Sequence, residues 1–127
     1  MDTRSQIDTR IKIDTRIKII DAAHATRVAR EGATVVSGYF DPMVASYAEE
    51  LAQLKKDGKP LLVLIANPRE PILPALARAQ LVAGLAAVDY VCDSPGELAP
   101  DVTLEARHAA GLANLIRHVH SRQRAAS

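Results

Sequence analysis

The stretch best equipped for chemistry is SGYFDPMVASY, residues 37–47. Gly38 allows a sharp turn or a close approach of backbone to ligand. The segment then runs into a helical pattern, whose free N–H groups and dipole favour an anion. Asp41 places a carboxylate in this loop, with two uses open to it. It can help to hold a metal ion, or it can cap the N–H groups of Met43 or Val44 where the helix begins. Three of the four aromatic residues, Tyr39, Phe40 and Tyr47, fall within nine positions of a chain whose aromatic content is only 3%. Arg69, Arg78 and Arg107 are the cations nearest this chemistry in pattern; the competing reading of each is a solvated surface arginine.

The remaining reactive side chains are less promising. His118 and His120 lie two apart on a predicted helix, so they point roughly 200° apart and cannot share a metal. His24 and His108 have no acidic or cysteine partner at ligand spacing and read as surface or helix-end histidines. Cys92 ends a predicted buried strand with no histidine patterned near it, which fits a small apolar core residue better than a nucleophile. Neither G-x-x-x-x-G-K nor G-x-G-x-x-G occurs, so P-loop and dinucleotide-binding readings have no support.

The elements that must position these residues alternate in type. Asp21 caps a predicted helix over AAHATRVARE, followed by Gly32. Residues 33–38 (ATVVSG) read as a short buried strand. Residues 43–57 read as a helix with Val44, Ala48, Leu51, Ala52 and Leu54 on one side, Glu50 and Lys55 toward solvent, and Gly58 at its end. The aliphatic run PLLVLIAN (60–67) suits a strand covered on both faces. A helix over 74–86 with Pro74 in its first turn, a strand over 87–93, a loop over 94–102 and a long helix over 103–123 complete the pattern. This β-α-β-α-β-α order predicts an α/β fold with a parallel, doubly wound sheet. Ligands in such sheets bind outside the carboxyl ends of the strands, which points to the loops after Ser37, Ala66 and Cys92.

Composition bounds the rest. The chain has 127 residues, 48% apolar, with 16 basic against 15 acidic side chains and a net charge of +1. One domain with its own core is expected. The charge balance gives no electrostatic case for nucleic acid or an anionic membrane. A single cysteine fits a reducing cytoplasm, and no apolar run approaches the ~20 residues of a membrane helix. The N-terminus has no apolar stretch and is not read as a signal peptide. Residues 7–12 and 13–18 both read IDTRIK, and residues 1–6 look like a decayed copy. From Ile7 to Ile19 apolar or β-branched residues alternate with charged ones, which favours an added strand or hairpin. An exposed strand of that kind invites pairing, so a homodimer through residues 1–18 is expected, with a disordered repeat extension as the alternative. The chain then divides into that extension and an α/β domain over 19–127.

Taken together, SGYFDPMVASYAEEL resembles the G-x-F-D-x-x-H-x-G-H signature of the cytidylyltransferase-like nucleotidyltransferases, and within them the heptose-phosphate adenylyltransferases and glycerol-3-phosphate cytidylyltransferases. Gly38, Phe40 and Asp41 match in place. LLVLIAN, RAQLVAGLAAVDYV (78–91) and LAPDV (98–102) resemble later family segments in order and spacing. The resemblance implies a three-layer α/β sandwich with a Rossmann-like sheet. It also implies transfer of CMP or AMP from CTP or ATP to a sugar- or polyol-phosphate, with Mg²⁺ assisting. The nucleotide-binding positions it implies are Gly38, Tyr39, Phe40, Asp41, Tyr47, Asn67 and Arg78.

The departures concern catalysis. The family's two histidines fall on Val44 and Tyr47, and the glycine between them falls on Ser46. Loss of a donor aimed at transition-state charge costs about 10²–10³-fold in rate. The Lys-Gly pairs and the Ser/Thr-rich triphosphate loop of the family are absent. Weak or lost catalysis with residual nucleotide or phosphate binding is therefore expected. The alternative is a non-catalytic binding or self-assembling module whose pocket is filled by Met43, Val44 and Tyr47. A flavodoxin- or receiver-like domain would need an acidic cluster at the strand ends, where only Asp41 and Asp93 are visible.

Overall fold

Leu61–Ile65 is a run of five aliphatic residues with no polar alternation, so it has no face to offer to water and must lie in the middle of a covered sheet. It does so in the computed structural model, which describes residues 14–113 and residue 116. This strand, β2, pairs in parallel with β1 (Thr34–Gly38) on one side and β3 (Tyr90–Cys92) on the other. A fourth strand, β4 (Val102–Thr103), pairs in parallel with the free edge of β1, giving the order β3-β2-β1-β4.

Helices cover both faces, and the alternation of β2 divides its side chains between them. Leu61, Val63 and Ile65 pack with Val36 and Val91 against Leu51 of α2 (Ala45–Leu54) and Ala79, Val82 and Ala83 of α3 (Ala75–Ala83). Leu62 and Leu64 join Val35 and Cys92 beneath Ala25 and Val28 of α1 (Ala22–Arg30). Each fully buried aliphatic side chain contributes roughly 1.5–3 kcal/mol. The architecture is the expected α/β three-layer sandwich around a Rossmann-like parallel sheet.

Local signals at the helix ends are met. The Asp21 carboxylate accepts from the His24 N–H at 2.8 Å, capping α1, and Gly32 follows its end with a φ of 108°. Other boundaries depart from expectation. α2 is shorter than residues 43–57 at both ends, and Ala52 faces solvent instead of the core. Glu50 and Lys55, expected in solvent, are engaged: Glu50 pairs with Arg107, and Lys55 bonds Asp89 at 2.5 Å. The segment expected as loop and helix start, 94–103, ends in β4, and the last helix, α4, begins at residue 105 and is described as far as residue 113.

The strand expected over the second repeat is also corrected. Thr15–Lys18 form a 3-10 turn, because Asp14 accepts from the Arg16 backbone N–H and its side chain holds the Arg16 guanidinium at 2.9 Å. Among the described residues of this stretch only Ile19 makes a parallel bridge, to Val91. The strand reading of residues 1–13, and the helix reading beyond residue 116, lie outside the described residues.

Candidate functional site

β4 decides where the site lies. The chain runs from β1 outward through β2 to β3, then returns to the other side of β1, so the topological switch point falls between β1 and β4. The crevice of such a sheet opens at the carboxyl ends of those two strands. There the loop after β1 meets the start of α4, and the junction is tied by the Leu104 N–H donating to Ser37 O at 2.8 Å. The Ser37 hydroxyl donates to the Glu105 carboxylate at 2.7 Å from its nearer oxygen.

His108 occupies this crevice. It lies four residues after the buried Leu104, one helical turn on, and is 3% exposed. Its Nδ1 accepts the backbone N–H groups of both Tyr39 (3.1 Å) and Phe40 (3.2 Å). Nδ1 therefore carries the lone pair, and the proton of the neutral ring sits on Nε2. Burial pushes the imidazole below its ordinary pKa, Glu50 and Glu105 pull it partly back up, and Arg107 adds to the lowering. Nε2 has no hydrogen-bond partner, and the nearest carboxylate oxygen, from Glu50, is 4.0 Å away. The expectation of a surface or helix-end histidine is overturned at this position.

The loop is shaped around that ring. A Cβ on Gly38 would fall 2.5 Å from His108 Cε1 and 2.8 Å from Phe40, so glycine is needed here for close approach. Phe40 adopts a left-handed φ of 49°, an unfavourable conformation for a bulky residue, and is fully buried. The Phe40 ring meets His108 edge-on with centroids 4.5 Å apart, and Tyr47 stacks on the same imidazole at 4.0 Å. The Tyr47 hydroxyl donates to His108 O at 3.5 Å and passes Gly111 so closely that a Cβ there would lie 2.7 Å from it. Burial, with Glu50 nearby, raises the Tyr47 phenol.

Asp41 and Arg78 are committed internally. Asp41 is buried; its two oxygens accept the N–H groups of Ile72 (2.6 Å) and Leu73 (2.9 Å). It thus pins the loop leading to α3 and does not cap Met43 or Val44. Arg78 is fully buried: Nε donates to Leu73 O, Nη1 to Tyr39 O and Ala66 O, and Nη2 to Asn67 Oδ1, all between 2.7 and 3.0 Å. The guanidinium is a clamp between two loops, the one after β1 and the one between β2 and α3, which settles the surface reading against it. Asn67 is held by that bond, and Arg69 is exposed. Cys92 is buried, and burial raises its thiol. Among the described residues no group of three or more His, Cys, Asp or Glu side chains is arranged to hold a metal ion.

Two cavities flank the closed crevice. One of about 220 Å³ is lined by Tyr39, Asp41, Pro68, Glu70, His108 and Leu112, among others. The other, of about 270 Å³, lies between Pro42, Val44, Ser46 and Tyr47 on one side and Gly111 and Leu112 on the other. Met43 packs into the core instead. The site brings Gly38, Tyr39, Phe40, Asp41 and Tyr47 together with Arg78 and Asn67, joined by His108, Gly111 and Glu105, which the sequence reading left out. The signal for them in the sequence is the spacing of Leu104, His108, Gly111 and Leu112, a helical stripe once α4 is placed beside β1.

Among the described residues no helix is long and apolar enough to cross a membrane. No family model matches the chain. Over 97 residues it is 31% identical to the Bifunctional protein HldE of Chromohalobacter salexigens. That match takes in 66% of this chain and 20% of the relative, so the chain spans about a fifth of the length of the curated relative it matches.

Proposed function

We propose that this chain is a nucleotidyltransferase-like protein that has lost nucleotidyl transfer and keeps the fold around a closed nucleotide crevice. One observation carries the reading: the Tyr39 and Phe40 N–H groups, suited to a phosphate, both donate to His108 of the same chain. The similarity to the HldE protein supports the nucleotidyltransferase part of the reading. The loss of transfer is supported by Val44, which has no donor, and by Tyr47, whose hydroxyl is turned to a backbone carbonyl. The residues present do not fit a catalytic Mg²⁺ either, because both Asp41 oxygens are taken by backbone N–H groups.

The test is incubation of the full chain with CTP or ATP, Mg²⁺ and a panel of sugar- and polyol-phosphates. No pyrophosphate release above background is expected. Release at enzymatic rates would overturn the reading and favour active CMP or AMP transfer. Calorimetric titration with the Mg²⁺ complexes checks binding separately, and little heat is expected at neutral pH.

A further inference from the structure

A pair of adjacent backbone N–H groups aimed at one acceptor is the geometry of an anion cradle. Here it is formed by Tyr39 and Phe40, made possible by Gly38 and by the left-handed Phe40. The acceptor is an imidazole nitrogen, which offers one neutral lone pair where an anion would offer full charge. The ring's hydrogen bonds come only from that side: its Nε2–H is buried without a partner. The cavity of about 220 Å³ beside His108 and Tyr39 provides space next to the ring.

We infer that His108 is a displaceable plug, an internal ligand that closes a latent anion site for a phosphoryl or sulfuryl group. Displacement restores two N–H donors to an incoming anion. Protonation drives the same change, because an imidazolium has no lone pair for the Tyr39 and Phe40 N–H groups. The groups facing the ring are known from each element packed on it. Glu50 of α2 lies 4.0 Å from Nε2 and is paired with Arg107; Tyr47, also of α2, stacks on the ring. Glu105 and Arg107 lie on its own helix. In the loops, Asp41 is held by backbone N–H groups and Glu70 lines the adjoining cavity. Glu50 is the counter-charge an imidazolium meets first and its pull opposes opening, so what drives opening in acid is the loss of the acceptor for the Tyr39 and Phe40 N–H groups. This inference rests on the crevice being closed in the resting protein, and its test is separate from the turnover assay.

The test follows the Tyr39 and Phe40 amide resonances of the full chain during titration with inorganic sulfate, whose charge is constant between pH 5.5 and 7.5. Inorganic phosphate serves as a second probe. His108→Ala is expected to bind sulfate at least tenfold more tightly than wild type at pH 7.5, with the largest shifts at those two amides. Wild type is expected to gain affinity several-fold at pH 5.5, whereas the variant changes little. His108→Gln, which keeps an acceptor but cannot titrate, is expected to lose the pH response and covers the case in which the alanine variant does not fold. A folded His108→Ala with no gain, a gain without shifts at Tyr39 and Phe40, or an intact pH response in His108→Gln would each overturn the plug. Pyrophosphate release by wild type would overturn the proposed loss of transfer instead, while the sulfate comparison still judges the plug.

Discussion

His108 shows how one side chain can reverse the meaning of a loop. An exposed histidine would be neutral to stability; a buried one with a lowered pKa makes stability depend on pH. The unfolded chain takes up a proton near the ordinary value of about 6.5, and the folded chain does so only at lower pH. This contribution is therefore complete above that range and is lost as pH falls below it, by at most about 1.4 kcal/mol per pH unit. Denaturant titrations at pH 7.5 and 5.5 are expected to show this loss in wild type and a smaller one in His108→Gln. Gly38→Ala is expected to destabilise by about 1–3 kcal/mol, since its Cβ collides with the His108 and Phe40 rings. An unfolding free energy within about 0.3 kcal/mol of wild type would count against the packing described. Arg78→Ala strips three carbonyls and Asn67 of their donor and is expected to cost at least about 3 kcal/mol. Arg78→Lys is expected to recover little of it, because an ammonium cannot reproduce the fork that spans the loops.

At the scale of elements, local signals are legible in the sequence and the pairing of β4 is not. Asp21 is a local cap, and its carboxylate bonds the third residue of the helix, as the spacing implies. Asp21→Ala is expected to cost about 1 kcal/mol, seen as a lower thermal midpoint with an unchanged fold by circular dichroism. β2 was legible because a continuous aliphatic run has few other solutions. β4 was not: two residues, Val102 and Thr103, carry no periodicity, and their strand character comes wholly from the exposed edge of β1. Without β4 the sequence pattern gives α4 no fixed neighbour, and nothing in it brings His108 to the loop that it fills. The 3-10 turn over Thr15–Lys18 has a similar cause. An alternating pattern favours a strand only when a partner edge is available, whereas the Asp14–Arg16 pair closes a turn with no partner at all.

For the molecule as a whole, the two faces of the sheet are covered unequally. α2 and α3 bury one face against the larger cluster, and α1 packs over the smaller one, chiefly around Leu62, Leu64 and Cys92. A groove of about 770 Å³ remains beside α1, bounded by Ala29, Arg30, Val35 and the loop through Pro95–Ala99. Opening free energy follows burial and backbone pairing. Hydrogen exchange is therefore expected to be slowest in β2 and the adjacent part of β1, and fast through residues 94–100. Comparable protection in both regions would contradict this account of where the stability resides.

By itself the sequence determined the α/β class, most helix and strand positions, and the loop after β1 as a candidate site. These follow from side-chain type and from spacing along the chain, which are local properties. Tertiary structure alone decided that Arg78 is a buried clamp, that Asp41 holds the loop before α3, and that His108 fills the crevice. Each of these depends on which strand ends and loops the fold sets side by side, and the return of the chain to the far edge of β1 through the two residues of β4 is a pairing that no local pattern encodes.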